Sequence, residues 1–231
     1  MKKSSTPIIL SIGGSIIIPK TGFDITFLKK FRALILSEVK KGKKFILVIG
    51  GGSTCRTYQG ALKSVVKTTD LDLDWMGIHT TIYNAQFVRL LFKGYADETV
   101  ALNPSKKIES KYPIVVAAGW KPGCSTDTDA VLLAKTFGAK ELINVSNIDY
   151  AYDKDPNLYP DAQKIETMSW AQFRKEVVGM TWTPGKNTPF DPIASAKAQK
   201  IGLRVTIMNG LNLLELKKAI NGKKVKGSVI S

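Results

Sequence analysis

The chain has 231 residues, of which 44% are hydrophobic and 23% charged, with a formal net charge of +15 and two cysteines. That length and composition suit a folded protein of one large domain or two lobes, and they exclude both a disordered chain and a disulfide-stapled scaffold. The positive charge favours anionic partners in general. The lysines are spread along the chain, however, and no nucleic-acid-binding signature accompanies them. A solvated basic surface is expected, with no specific nucleic acid and no membrane as partner.

The N-terminal stretch MKKSSTPIILSIGGSIII has the outline of a secretory leader, a basic start followed by an apolar run. The run is short, Gly13 and Gly14 interrupt it, and no small-residue cleavage site follows. Residues 7–12 therefore read as a first core strand. With Cys55 and Cys124 outside any disulfide or metal-ligand spacing, a reducing, cytoplasmic setting is expected. The strand runs into Ser11, Ile12, Gly13, Gly14 and Ser15, a turn able to offer main-chain N–H groups to an anion. Phe27, Leu28, Phe31, Leu34, Ile35 and Val39 then recur with helical period, which predicts a helix over 23–41 that Gly42 stops.

Five apolar residues at 45–49, rich in β-branched types, are too few for an amphipathic helix and predict a buried parallel strand. Gly50, Gly51 and Gly52 follow, then Ser53, Thr54 and Arg56, with helical sequence from about residue 57. Glycines let the chain turn tightly and bring N–H groups against a ligand. A helix N-terminus adds positive partial charge, and Arg56 adds a forked cation. The combination suits a phosphate. It equally suits a plain tight βα connection, because a glycine triplet matches neither the Walker loop nor the dinucleotide fingerprint. Successive strand–glycine–helix units predict a parallel sheet with helices on its faces.

Helical sequence continues over 58–66, and a second run opens at 72–77 and extends to 91. Asp74 reads either as a helix cap or as an acceptor for sugar hydroxyls. His79, the sole histidine, reads as a surface or packing residue. Residues 114–117 form the next apolar strand, followed by a shaped turn over 118–127. Ser125 or Thr126 can cap a helix over 127–137 that turns Ala130, Val131, Leu133, Ala134 and Phe137 to a core. Asp127 either complements that helix's dipole or holds basic groups or Mg²⁺ near a transferring phosphoryl group. Next come a strand at 141–145 and a run at 146–156 in which turn residues alternate with Tyr150 and Tyr152. That run offers flat apolar surface and fixed polar groups to a base, or is an ordinary solvent turn. Helices at 169–178 and 192–200, a loop at 181–191, a strand at 204–208, a helix at 212–220 and a strand at 227–230 complete the chain.

Taken together, these turns resemble the amino acid kinase family, and within it the uridylate kinases of archaeal type. The likeness covers nearly the whole chain. Its anchors, in order, are IGGS at 12–15, GGG-x-x-x-R at 50–56, D-x-x-G at 74–77, G-x-x-P-G-x-x-T-D at 119–127, N-x-D-x-x-Y-x-x-D-P at 147–156 and D-P-x-A at 191–194. The resemblance implies an α/β fold, a three-layer α/β/α sandwich with a mainly parallel central sheet. It implies a single domain over 1–231, with an acceptor lobe at 1–118 and an ATP lobe at 119–231. The implied reaction transfers the γ-phosphoryl group of ATP to UMP, giving UDP and ADP in pyrimidine nucleotide biosynthesis, with Mg²⁺ and usually in a homohexamer.

By the same resemblance Gly51, Asp74, Trp120, Lys121, Pro122, Gly123, Cys124, Ser125 and Thr126 bind UMP, with Asp74 on the ribose. Gly13, Gly14, Ser15, Gly52, Arg56, Ser146, Asn147, Tyr152 and Asp155 bind ATP. Arg56 lies close to both phosphates, Asp127 organises the catalytic centre, and no dedicated set of metal ligands is implied. The residue inventory agrees with this chemistry. Phosphoryl transfer needs two anions held in line and developing charge offset by cations and N–H donors, not a covalent nucleophile.

One position departs from the family. Much of it carries a lysine two residues before the glycine pair, where this chain has Ser11. Archaeal-type uridylate kinases resemble this chain in often lacking that lysine, which leaves the neutralising cation to be found; Lys121 and Lys186 are the loop candidates. Ser146 stands where the family usually has threonine. Isopentenyl phosphate kinases are similar but carry a histidine after the second glycine loop, where Ser53, Thr54 and Cys55 stand here. A catalytically silent nucleotide-binding or storage protein is the remaining alternative, kept open by Ser11 and opposed by Asp127 and Arg56.

Overall fold

In the computed structural model, described over residues 6–156, 158–179, 181 and 188–231, an eight-stranded sheet runs through the molecule with helices on both faces. The first half of the described chain comprises β1 (Ile8–Ile12), α1 (Gly14–Ile17), α2 (Ile25–Lys40), β2 (Phe45–Ile49), α3 (Gly52–Val65), α4 (Asp70–Leu91), β3 (Ala96–Ala101) and β4 (Ile114–Ala117). It continues with α5 (Thr126–Phe137), β5 (Glu141–Ser146), β6 (Ala151–Tyr152), β7 (Lys164–Ile165), β8 (Thr167–Met168) and α6 (Trp170–Phe173), which a π-helical turn at Arg174–Val178 prolongs. Then come α7 (Pro192–Lys200), β9 (Arg204–Asn209), α8 (Leu213–Ile220) and β10 (Ser228–Ile230). The sheet order is β3-β4-β2-β1-β5-β9-β10-β8. Strands from β3 to β9 are parallel, β10 runs antiparallel to β9, and β8 is parallel to β10. This is the three-layer, mainly parallel architecture that the sequence predicted.

Successive residues of a strand point to opposite faces, and here both faces are buried. Leu10, Leu47 and Ile143 meet Phe31 of α2, Val88 of α4 and Leu216 of α8. Ile9, Ile46 and Leu142 meet Leu133 of α5, Trp170 of α6 and Ala194 of α7. Two-sided burial is why β2 and β4 are unbroken apolar runs that sequence alone locates well. β3 carries Asp97 and Glu98 and lies at the sheet edge, so it has no apolar run and no strand was expected there; charge on an edge strand discourages pairing with other chains. The short β6, β7 and β8 escaped for the same want of pattern. Pro184, Gly185 and Lys186, in the expected loop at 181–191, lie outside the described residues.

Two boundaries differ in ways that bear on the site. α3 begins at Gly52, about five residues before the expected start, so the glycine turn is itself the first turn of the helix. α4 is capped by Thr69, whose hydroxyl accepts from the Asp72 N–H while the Asp72 carboxylate accepts from the Thr69 N–H. Asp74 therefore does not cap it.

Strand register brings the carboxyl ends level. Ile12 lies opposite both Ile49 and Val145, Val48 opposite Ala117, and Ser146 opposite Asn209. Beyond β1 and β2 the chain passes to the α4 face of the sheet, whereas beyond β4 it passes to the α5 face. The turns after β1, β2 and β4 emerge together at the carboxyl ends of the strands, where ligand clefts open in α/β sheets. No helix among the described residues is long and apolar enough to cross a membrane.

A Cβ on Gly14 would lie 2.4 Å from Gly50 O and 2.4 Å from Gly52 N, both main-chain atoms. Gly14→Ala should therefore force the two turns apart and lower the unfolding free energy by about 1–3 kcal/mol. Gly60, in α3, has nothing within 4 Å of such an atom, and Gly60→Ala should raise it by up to about 1 kcal/mol. Urea denaturation of the two variants checks the contrast.

Candidate active site

The turns after β1 and β2 form one contiguous piece of main chain. Gly13 N–H donates to Val145 O and Gly50 N–H to Ile12 O, each at 2.9 Å. Gly52 adopts φ +62° with its Cα packed on the backbone of Gly14 and Ser15, a conformation and a proximity that favour glycine. Ser53 Oγ donates to Ile18 O at 3.0 Å and ties the start of α3 to the chain beyond α1. Gly13, Gly14, Ser15, Gly51 and Gly52 are thus gathered at the N-terminus of α3, where the helix dipole is positive. Arg56 stands exposed one turn further along α3, with no ion pair among the described residues.

On one side, the loop after β4 folds onto α4. Gly119 N–H donates to Thr81 Oγ1 at 2.9 Å, and Gly123 N–H donates to Asp74 Oδ2 at 2.8 Å. Asp74 sits within α4 and holds the loop rather than its own helix end. Lys121 Nζ lies 4.2 Å from the centre of the Trp120 ring, a cation–π contact. Cys55 Sγ fills the space beside Gly51 and Gly77. The residues expected on the acceptor side, Gly51, Asp74 and Trp120 to Thr126, therefore share one flank of the glycine turns. Burial pushes the thiols of both Cys55 and Cys124 up.

On the other side, four of the residues expected around ATP line a single pocket of about 200 Å³: Ser146, Asn147, Tyr152 and Asp155, together with Ile148 and Pro189. The pocket begins where β5 ends, next to Val145, whose carbonyl holds Gly13.

Asp127 stands in the first turn of α5, behind the Ser125 cap, which accepts from Thr128 N–H at 3.2 Å. Ser11 and Asn144 are register partners on β1 and β5, and they project to the sheet face that α5 covers. Both donate to Asp127 Oδ1, at 3.0 and 2.9 Å. Burial raises this carboxyl to about 6, the Asp191 carboxylate adds to the rise, and the Ser11 and Asn144 donors oppose it. Asp129 is fully buried and is driven to about 7, first by burial and then by Asp127 and Asp191. Asp191 caps α7, its Oδ1 accepting from Ala194 N–H at 2.9 Å. Asp129 Oδ1 and Asp191 Oδ2 have no hydrogen-bond partner among the described residues.

The position of the family's frequent lysine is thus filled by a hydroxyl that donates to an acid. Lys121 and Lys197 both lie close enough to the Cys124 thiol to lower its pKa against the larger effect of burial. Lys186 lies outside the described residues.

The sequence pattern of the amino acid kinase family matches residues 6–209. The chain belongs to that family. It is 33% identical over 218 residues to the uridylate kinase of Thermoplasma volcanium, covering 94% of this chain and 93% of that protein. Against the uridylate kinase of Pyrococcus abyssi the identity is 31% over 219 residues, 94% of this chain and 96% of the relative. Among solved structures, uridylate kinase from Archaeoglobus fulgidus superposes with a TM-score of 0.81 at 26% identity, over 97% of this chain and 100% of that one.

Within this amino acid kinase, Asn144, Asp129 and Thr81 contribute to the site although no reading of the sequence had singled them out. Asn144 left a usable signal, a lone amide in an otherwise apolar strand, because a buried polar group demands a partner. Asp129 and Thr81 left none, since each sits in an ordinary helical sequence.

Folded Asp129 titrates near 7 against an ordinary 3.8, so between these values the native state holds a proton that the unfolded chain has released. Stability therefore falls as pH rises through that window. Asp129→Asn keeps an acceptor for Trp120 N–H and removes the charge. It should melt higher than the parent at about pH 8 and close to it at about pH 4; thermal melts at the two pH values test the sign.

Proposed function

We propose that this amino acid kinase is a uridylate kinase, transferring the γ-phosphoryl group of ATP to UMP and releasing ADP and UDP. The observation that carries the reading is the main-chain junction of Gly14 with Gly50–Gly52. It stands between the pocket of Ser146, Asn147, Tyr152 and Asp155 and the flank of Asp74 and the loop after β4. Two nucleotides seated on those flanks meet phosphate to phosphate at that junction. The substrate is named by near full-length relatives called uridylate kinases.

In this reading ATP takes Gly13, Gly14, Ser15, Gly52, Arg56, Ser146, Asn147, Tyr152 and Asp155, and UMP takes Gly51, Asp74 and residues 120–126. The acceptor lobe is 1–118 and the ATP lobe is 119–231. Glycine N–H groups and the α3 dipole hold the phosphates, while Arg56, Lys121 and Lys197 offset the charge that spreads over the transferring group. Mg²⁺ enters as part of the MgATP substrate and neutralises the same charge. Asp127, fixed by Ser11 and Asn144, orients these cations by a stationary negative charge. Asp74 accepts from the ribose hydroxyls as well as from Gly123 N–H, so acceptor binding and loop position are coupled through one carboxylate.

The working protein is a cytoplasmic homo-oligomer, a hexamer as in its resemblance group. α3 supports this, because none of its residues is buried in the single chain and Val65 is 81% exposed. Light scattering should return a hexameric mass, and Val65→Glu should lower it; a monomeric parent overturns the assembly.

A coupled assay of ADP release with UMP, CMP, dTMP, isopentenyl phosphate and carbamate offered separately tests the activity. UMP should be the preferred acceptor. ATP binding without ADP release on any acceptor would establish the silent nucleotide-binding alternative instead. Asp74→Ala should raise KM for UMP about tenfold or more while changing KM for ATP by less than about twofold. Equal effects on both would remove Asp74 from the acceptor side.

A further inference from the structure

Asn84 lies on the inner face of α4 and has no exposed surface. Its Nδ2 donates to Gly50 O at 2.9 Å and to Gly51 O at 3.1 Å, so both amide hydrogens are spent on successive carbonyls of one turn. In a trans peptide the C=O and the following N–H point in opposite directions. Carbonyls of Gly50 and Gly51 drawn toward α4 therefore send the N–H groups of Gly51 and Gly52 away from it, Gly52 N toward Gly14. Among the described residues neither N–H has a protein acceptor.

A run of three glycines has little intrinsic preference for either orientation of these peptides, since glycine occupies positive and negative φ with similar ease. Cys55 N–H donates to Gly51 O at 3.2 Å as the first backbone bond of α3, and the amide of Asn84 adds to that hold and alone fixes Gly50 O. A flip would break one buried and one part-buried hydrogen bond of a side chain that has no exposed surface, and each lost partner is costly. Asn84 Oδ1 has no partner among the described residues, and exchanging it with Nδ2 would set an acceptor against the Gly50 and Gly51 carbonyls. Thr81, one turn earlier on the same face, accepts from Gly119 N–H, and α4 thereby orients main chain in both loops that bound the acceptor flank.

We propose that Asn84 is a positioning residue that aims the Gly51 and Gly52 N–H groups, and so sets the affinity of the glycine turn for nucleotide phosphate. The identity of the acceptor rests on the uridylate kinase reading; the recognition of phosphate rests on the turn alone. Phosphate affinity separates this role from general support of the fold, because the nucleoside parts are bound elsewhere.

The full chain, Asn84→Leu and Asn84→Ser are titrated with UMP, uridine, ATP and adenosine, and their thermal transitions are compared. The Kd values of UMP and ATP should rise about tenfold or more in both variants, a change readily resolved by calorimetry. Those of uridine and adenosine should stay within about twofold of the parent. Equal weakening of nucleosides and nucleotides, no change in either, or loss of the folding transition in both variants overturns the proposal. If Asn84→Leu alone fails to fold, the smaller Asn84→Ser, too short to reach both carbonyls, carries the same comparison. A parent chain that binds ATP but not UMP refutes the uridylate kinase reading, and the ATP and adenosine pair then decides Asn84 by itself.

Discussion

Where β1 and β2 end, two stretches of main chain touch with no room for a side chain between them. Gly14 and Gly52 stand so close that a single methyl on either would overlap the backbone of the other turn. This contact depends on register, because Ile12 must lie level with Ile49 and Val145 for the turns to emerge together. Register in turn depends on two-sided burial: a slip of one residue would carry Leu10 and Leu47 to the wrong core and Ser11 away from α5. The hydrophobic pattern of the strands and the placement of the glycine-turn N–H groups are therefore one constraint seen at two scales.

Around that junction the protein arranges charge against its overall balance. The chain carries +15, yet Asp127, Asp129 and Asp191 gather at the starts of α5 and α7, where Asp191 raises the proton affinity of Asp127 and both raise that of Asp129. Such a grouping costs stability near neutral pH, since buried like charges oppose ionisation. Ser11 and Asn144 offset part of that cost at Asp127 by donating to a single oxygen. Much of the family places a lysine at the Ser11 position. Here a neutral donor serves the carboxylate, and the neighbouring cations stand elsewhere, Arg56 on α3 and Lys121 and Lys197 beside Cys124.

Helix α4 links the parts. Its outer face is wet and carries exposed Trp75 and Tyr83, while its inner face holds Thr81 and Asn84 among buried apolar residues. Those two polar side chains make their bonds to main chain, not to other side chains. Loops of glycine, which gain no rigidity from packing of their own, are thus held by a helix that has it.

Sequence by itself determined the layered α/β fold, the limits of β2 and α7, the glycine turns and the acids and arginine beside them. It could do so because buried parallel strands leave apolar runs and because glycine triplets and capping residues are local signals. Edge strand β3 and the small strands β6, β7 and β8 left no such pattern. Only the tertiary structure decided that Asp74 holds a neighbouring loop instead of a helix end, that Ser11 and Asn144 converge on Asp127, and that Asn84 grips the glycine turn. Each of those contacts joins residues far apart in the chain, and their partners are set by sheet register and helix phase, which no single stretch of sequence contains.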